Sequence, residues 1–168
     1  MTLRAAVISD ASSIAAISIE VWIGTYLKQG VSGFFADYAL AEFTPQNTEQ
    51  LISDPAEFIL VSENTEGIDG FIRVSSARQA PVAGCSQLEI ATFYVQPRHH
   101  GKGIGKALLQ AALHHCRNQS SDPVWLTTNA ENAPAIAFYL AQGFEQVGET
   151  YFAIADQTYL NAIFARRL

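Results

Sequence analysis

Gly101, Gly103 and Gly105 alternate with Lys102, Ile104 and Lys106, separated by five residues from an apolar, partly β-branched run that ends at Val95 and lying directly before an apolar run from Ala107. Strand, glycine-rich turn and helix, in that order, aim backbone N–H groups at a phosphate. The glycines remove side chains that block close approach, and the helix N-terminus adds unpaired N–H groups and a partial positive charge. Successive amides from Gly101 to Lys106 can wrap one or two phosphates as a nest. The string is not a P-loop, which reads G-x-x-x-x-G-K-S/T, nor a dinucleotide-binding turn, in which Lys106 would be glycine. Taken alone, the segment also allows a turn that only joins a strand to a packed helix.

A second motif runs from Asn132 to Phe144. Asn132 is placed to cap a helix, Pro134 sits in its first turn, and Gly143 ends it. Ile136 and Leu140, one helical turn apart, are expected on its buried stripe, with Tyr139 beside the stripe and its hydroxyl reaching outward. Together the two motifs resemble the GNAT superfamily of acyl-CoA-dependent N-acyltransferases, whose pattern is Q/R-x-x-G-x-G/A after a strand and then N-x-x-A-x-x-F-Y-x-x-x-G-F. The second half matches at Asn132, Ala135, Phe138, Tyr139, Gly143 and Phe144. In the first half the Q/R position falls on His100, while Arg98 matches out of register with Gly101 and Gly103. A neutral imidazole donates only one ring N–H, so a phosphate grip through His100 is expected to depend slightly on pH.

The resemblance implies acetyl-CoA as acyl donor, with no metal. It places the pyrophosphate on the amides of Gly101, Lys102, Gly103, Ile104, Gly105 and Lys106, with His100 and Asn132 also in contact, and the pantetheine along Phe93, Tyr94 and Val95. It makes the Val95 N–H the oxyanion donor and Tyr139 the general acid at the departing sulfur. Glu89 stands where many members carry a glutamate that deprotonates the amine, usually through water. The structural alternatives are a core tyrosine and a solvated strand glutamate. In the branch that acetylates protein N-termini the base lies five residues before the motif asparagine, and that position here is Thr127. Trp22 and Tyr26, with the segment from Gly148 to Leu168, are loosely similar to bacterial polyamine N-acetyltransferases, although those tend to carry glycine and aspartate where this chain has Ala155 and Asn161. Trp22, Tyr26 and Glu89 are therefore the candidate acceptor-binding residues, although Trp22 by residue type alone reads as core, as do Trp125, Phe138 and Phe144.

The elements that position these residues follow from length and pattern. The chain has 168 residues, 49% of them hydrophobic, enough for one domain, 1–168, with a full core. Leu3–Ala6 reads as a strand, Asp10 opens a helix carrying Ile14, Ile17, Val21 and Trp22, a second helical region spans about 35–43, and Thr44-Pro45 starts a short helix ending near Ser53. Strands are expected at 57–62, 68–75 and 87–95. A long helix then runs to about Asn118, a buried strand spans 124–128, the Asn132 helix follows, and a hairpin of 144–154 with 159–165 closes the chain. The resulting order, β-α-α-β-β-β-α-β-α-β-β, implies an α/β fold with one mixed, mostly antiparallel sheet and helices on both faces. The resemblance adds that the sheet is splayed between two parallel strands.

Sixteen Asp and Glu against ten Lys and Arg give a net charge of −6, which argues against a nucleic-acid footprint and favours a cationic small-molecule amine. Cys85 and Cys116 have no disulfide or zinc-ligand spacing, and no apolar span or signal segment points to a membrane. A cytoplasmic enzyme is expected, with a homodimer as one assembly the reading allows. Its reaction is acetyl transfer to a primary amine, a polyamine first, with a protein or peptide acceptor, or a non-catalytic acyl-CoA sensor, as alternatives.

Overall fold

A computed structural model describes residues 1–168. The elements are β1 (Thr2–Ala5), α1 (Ala11–Tyr26), α2 (Gly33–Glu42), α3 (Pro45–Ser53), β2 (Glu57–Asn64), β3 (Gly67–Ser75), β4 (Glu89–Val95), α4 (Ile104–Arg117), β5 (Val124–Asn129), α5 (Ala133–Ala141), β6 (Glu145–Ile154) and β7 (Gln157–Arg166). The seven strands form one mixed sheet in the order β1-β2-β3-β4-β5-β7-β6. β4 and β5 pair in parallel at Glu89↔Trp125, and β5–β7, β6–β7 and β1–β2 are antiparallel. Three helices precede β2, the third being the short helix expected from Thr44-Pro45, which the element order β-α-α-β left uncounted. The Thr44 hydroxyl accepts the Asn47 N–H at 3.1 Å, and Pro45, with no N–H to lose, takes the first turn. No helix is long and apolar enough to cross a membrane.

By its contacts the expected single domain, 1–168, divides into two compact units, 1–73 with 92–112 and 74–91 with 113–168. In the first unit, Ile14 and Ile17 of α1 pack on Ile59 and Val61 of β2 and Phe71 of β3, with Tyr94 of β4 edge-on to Phe71 at 5.8 Å. In the second, Trp125, Ile163 and Ala165 form a sheet face on which Ala80, Val82 and Cys85 of the β3–β4 connection pack. That connection is pinned where it returns to the sheet: the Ser86 N–H and hydroxyl both donate to the Pro123 carbonyl, and the Ser86 Oγ accepts the Leu88 N–H. Gly148 is glycine because of this packing, since a Cβ there would lie 2.8 Å from Val82 Cγ1.

Two expectations about helices change. Asp10 does not cap α1 with its side chain. Its two carboxylate oxygens accept from the Arg4 guanidinium at 2.7 and 3.0 Å, one of them also accepts the Val7 N–H at 2.8 Å, and Arg4 continues to Glu63 at 2.8 Å. On α5 the buried residue is Tyr139, while Leu140 is 52% exposed. That helix, A-P-A-I-A-F-Y-L-A, is apolar all round, so its spacing carries no sidedness.

Arg4 donation holds the Asp10 carboxyl below its ordinary value, against the opposing effect of burial. A carboxyl lowered by folding contributes stability above its unfolded value, near 4, and loses it as pH falls through the folded value. Asp10→Asn should therefore lower the urea midpoint at pH 7, and the gap to the unchanged protein should close below about pH 4. A gap that is constant with pH would assign the loss to packing alone.

Candidate active site

The phosphate turn lies wholly in the first unit. β4 ends in a 3-10 turn, Pro97–His99, whose return bonds, His99 N–H to Gln96 O at 2.9 Å and His100 N–H to Pro97 O at 3.1 Å, fix the chain up to the glycines. Gly101 and Gly103 then take φ of +78° and +82°, left-handed values that cost an L-residue roughly 1–2 kcal/mol. Gly105 lies in the first turn of α4 and has no such φ, so its role there is the missing side chain. The amides of Gly101, Gly103, Ile104, Gly105 and Lys106 have no partner within the chain. The Lys102 N–H, by contrast, points back to His99 O at 3.4 Å.

The His100 ring is likewise engaged within the chain. Its Nε2 lies 3.0 Å from the Val95 carbonyl, which can only accept, so Nε2 carries the proton and staples the turn to the end of β4. A neutral His100 then has only a lone pair at Nδ1, and donation to a phosphate from that nitrogen requires the imidazolium. Lys102 Nζ is held by His99 Nδ1 at 3.2 Å. Glu20 of α1 brackets the same end of β4, accepting from Gln96 Nε2 at 2.7 Å and Arg98 Nη2 at 3.0 Å, and these donors hold its carboxyl below the usual range. Between Ile90 and Ser121 the chain has four Lys or Arg and no Asp or Glu, so the turn is a cationic island in an acidic protein.

The strand segment before the turn is held closely against β3. A Cβ on Gly70 would lie 3.0 Å from Tyr94 O and 3.1 Å from Val95 Cγ2, so β3 reaches Tyr94 and Val95 only because residue 70 is glycine. The two candidate acceptor residues of this unit differ in access. Trp22 is 6% exposed, with the rings of Tyr26, Tyr38, Phe35 and Phe43 around it at 5.2–6.3 Å, and so acts as a backing. Tyr26 is 40% exposed and is the ring that faces out. Burial pushes the Tyr38 phenol up to about 12.

The second unit holds Asn132, Tyr139 and Glu89. Asn132 Oδ1 accepts the Ala135 N–H at 3.3 Å, so it is a helix cap. α5 ends in a Schellman arrangement: Phe144 N–H donates to Tyr139 O at 3.1 Å and Gly143 N–H to Leu140 O at 3.0 Å, with Gly143 at φ +81°. The reversal lays Phe144 against Tyr139 at 5.7 Å, and Phe138 and Phe164 also meet that ring. The spacing F-Y-x-x-x-G-F is thus the geometry that immobilises one phenol. Glu89 is half-buried, and its Oε2 lies 3.9 Å from Arg78 Nε. Arg78 was not among the expected site residues. It sits in a connection without periodicity, and only the return of that connection to the sheet brings it to Glu89.

The family model described as Acetyltransferase (GNAT) family matches residues 26–144. N-acetyltransferase 8B of Rattus norvegicus is 31% identical over 105 residues, 62% of this chain and 46% of that protein. Mycothiol acetyltransferase of Saccharomonospora viridis is 38% identical over 95 residues, 55% of this chain and 31% of that protein. The matched region therefore spans about half or less of these relatives' own length. Among solved structures, a PaiA N-acetyltransferase from Thermoplasma acidophilum in complex with coenzyme A superposes with a TM-score of 0.78 at 18% identity, covering all of both chains, a likeness of fold. With the family model matched across both the glycine turn and the α5 motif, this chain belongs to the GNAT acetyltransferase family.

Proposed function

We propose that this protein is an acetyl-CoA-dependent N-acetyltransferase acting on the primary amine of a small molecule. The observation that carries the reading is the turn at Gly101 and Gly103, whose unpaired amides lie in a stretch free of acids and suit a pyrophosphate. Acetyl-CoA would supply an activated acyl thioester. The amides of Gly103, Ile104, Gly105 and Lys106 would bind its pyrophosphate, the backbone from Phe93 to Val95 its pantetheine, and the Val95 N–H the oxygen that becomes negative on attack.

Glu89 would take one proton from the acceptor's ammonium, through water, leaving a neutral amine. The nitrogen lone pair forms the new C–N bond, the C–S bond breaks as the tetrahedral adduct collapses, and the sulfur takes its proton from Tyr139. The nitrogen's second surplus proton restores the phenol, and the proton on Glu89 goes to solvent. Amide, thiol and one released proton balance the ammonium and thioester consumed. The net charge of −6 favours cationic acceptors such as polyamines on encounter. The two free thiols, Cys85 and Cys116, suit a reducing compartment such as the cytoplasm.

Acetyl-CoA at about a hundredfold excess over Kd should stabilise the protein by about 2.7 kcal/mol, a Tm rise of roughly 5–10 °C. Gly103→Val should remove that shift, because a branched side chain at φ +82° both strains the turn and fills the phosphate site. No shift and no calorimetric heat with the unchanged protein would overturn the donor assignment.

Tyr139→Phe keeps the packed ring and removes only the acid, so kcat should fall by about 10²-fold while CoA affinity stays close to its original value. Unchanged kcat would leave Tyr139 as core alone. Glu89→Gln should slow turnover most below the acceptor's amine pKa, with the defect shrinking as pH rises. A defect independent of pH would instead assign Glu89 to binding.

A further inference from the structure

The sheet face of the second unit that carries Glu89 holds a second carboxylate, the exposed Glu145 opposite Ala165, and several neutral polar groups, and the Arg78 guanidinium lies against Glu89. Cα partners across a sheet share a face, so Glu89 lies with Trp125, Thr127 with Ile163, and Asn161 with both Asn129 and Thr150. Asn129 Oδ1 is used by the Glu131 N–H at 2.8 Å, whereas the side chains of Thr127, Asn161 and Thr150 make no hydrogen bond. Arg78 is held at its backbone, where its N–H donates to Gln87 O at 3.1 Å, and by a connection packed on Trp125, Ile163 and Ala165. Its side chain is 59% exposed, and Glu89 at 3.9 Å is its sole ionic partner, through Nε, so the terminal nitrogens of the guanidinium remain open.

We infer that the acceptor carries a carboxylate beside its reacting amine, as an α-amino acid or a derivative of one does, with the carboxylate on the Arg78 terminal nitrogens and the ammonium on Glu89. The inference rests on the acetyl-transfer reading and narrows its acceptor. A planar guanidinium takes a carboxylate through two parallel N–H bonds, while Glu89 takes the ammonium a few ångströms away, so the four charges alternate in sign. A polyamine sets a second cation beside Arg78 instead. The distances decide between the two. Net charge acts diffusely through a screening length of about 8 Å at physiological salt, whereas a two-pronged guanidinium–carboxylate pair acts at contact distance and selects by geometry. Encounter follows the −6 total, and retention follows Arg78. Thr127, Asn161 and Thr150 offer hydroxyls and an amide to the rest of the acceptor.

The test compares matched amines that differ only in the carboxylate, phenylalanine with phenethylamine and lysine with cadaverine, with spermidine added. CoA thiol release gives kcat and KM, and Tm shifts of the CoA-loaded protein give binding independently of turnover. The carboxylated member of each pair should have the larger kcat/KM, mainly through a lower KM, and should give the larger Tm shift. Arg78→Gln should cut the ratio of kcat/KM within each pair about tenfold or more, the usual effect of losing a charged hydrogen bond, and Arg78→Lys should restore part of it. Spermidine or a decarboxylated partner doing as well as the amino acid with the unchanged protein would overturn the inference while leaving acetyl transfer intact. Thiol release from none of the amines would overturn acetyl transfer, and the Tm arm would then decide the carboxylate subsite on its own.

Discussion

A strand can hand unpaired amides to an anion only if the chain leaves the sheet through a backbone conformation that L-residues resist. Gly101 and Gly103 satisfy that constraint, and the geometry of the first unit's site depends on it. Their positive φ turns the chain so that α4 starts with its first N–H groups outward instead of bonded backward. The residues around them make this exit a rigid one. His99 and His100 are tied by their amides to Gln96 and Pro97, the His100 ring is tied to Val95, and Glu20 holds Gln96 and Arg98 from α1. Ordering is therefore complete up to the glycines before any ligand arrives, which lowers the entropy that binding must offset.

The second unit meets the opposite demand with the same economy of parts. The phenol proposed as general acid must keep one orientation, yet a phenol on a helix has two free χ angles. Gly143 solves this by reversing the chain so that Phe144 closes on the Tyr139 ring, while the same turn satisfies the last carbonyls of α5. Helix termination and immobilisation of the Tyr139 phenol are one interaction. This explains why glycine and phenylalanine stand four and five residues after the tyrosine, and why core packing and a chemical role are compatible at Tyr139. Deleting the hydroxyl leaves the ring contacts untouched, whereas deleting the ring removes both.

What was legible in the sequence was what short-range chemistry dictates. Thr44 before Pro45, Asn132 before Pro134 and Gly143 after an apolar run each satisfy groups within a few residues, and each stands where the pattern put it. Strand limits came within two or three residues for the same reason, since β-branched runs end at polar or glycine residues. Features set by distant contacts were not legible. Asp10 looks like an N-cap until Arg4, a strand residue, takes both carboxylate oxygens. α5 looks the same from every side until Phe164 and Phe144 choose Tyr139. The connection holding Arg78 has no period at all, and its fold is decided by Val82 against Gly148 and by Ser86 against Pro123. The contact of the His100 ring with the Val95 carbonyl was not legible either, because it is set by the turn that follows β4.

Charge is distributed along the chain in a way the net value hides. All four histidines and four of the ten Lys and Arg fall between Ile90 and Ser121, with no acid among them, so every Asp and Glu lies elsewhere. A polyanionic donor and an amine acceptor place opposite demands on one protein's field, and a uniform surface would favour one at the expense of the other. Because screening limits each charge to about 8–10 Å in ordinary salt, the two demands can be met locally by different segments. On the proposed reaction the acid-free stretch 90–121 would attract the anionic donor, and the acidic remainder would attract a cationic acceptor. Within that remainder, which holds six of the ten Lys and Arg, Arg78 is a cation kept within 4 Å of Glu89. A guanidinium beside a candidate base opposes a bare polycation. What it can do there is distinguish amines by the group they carry next to the nitrogen.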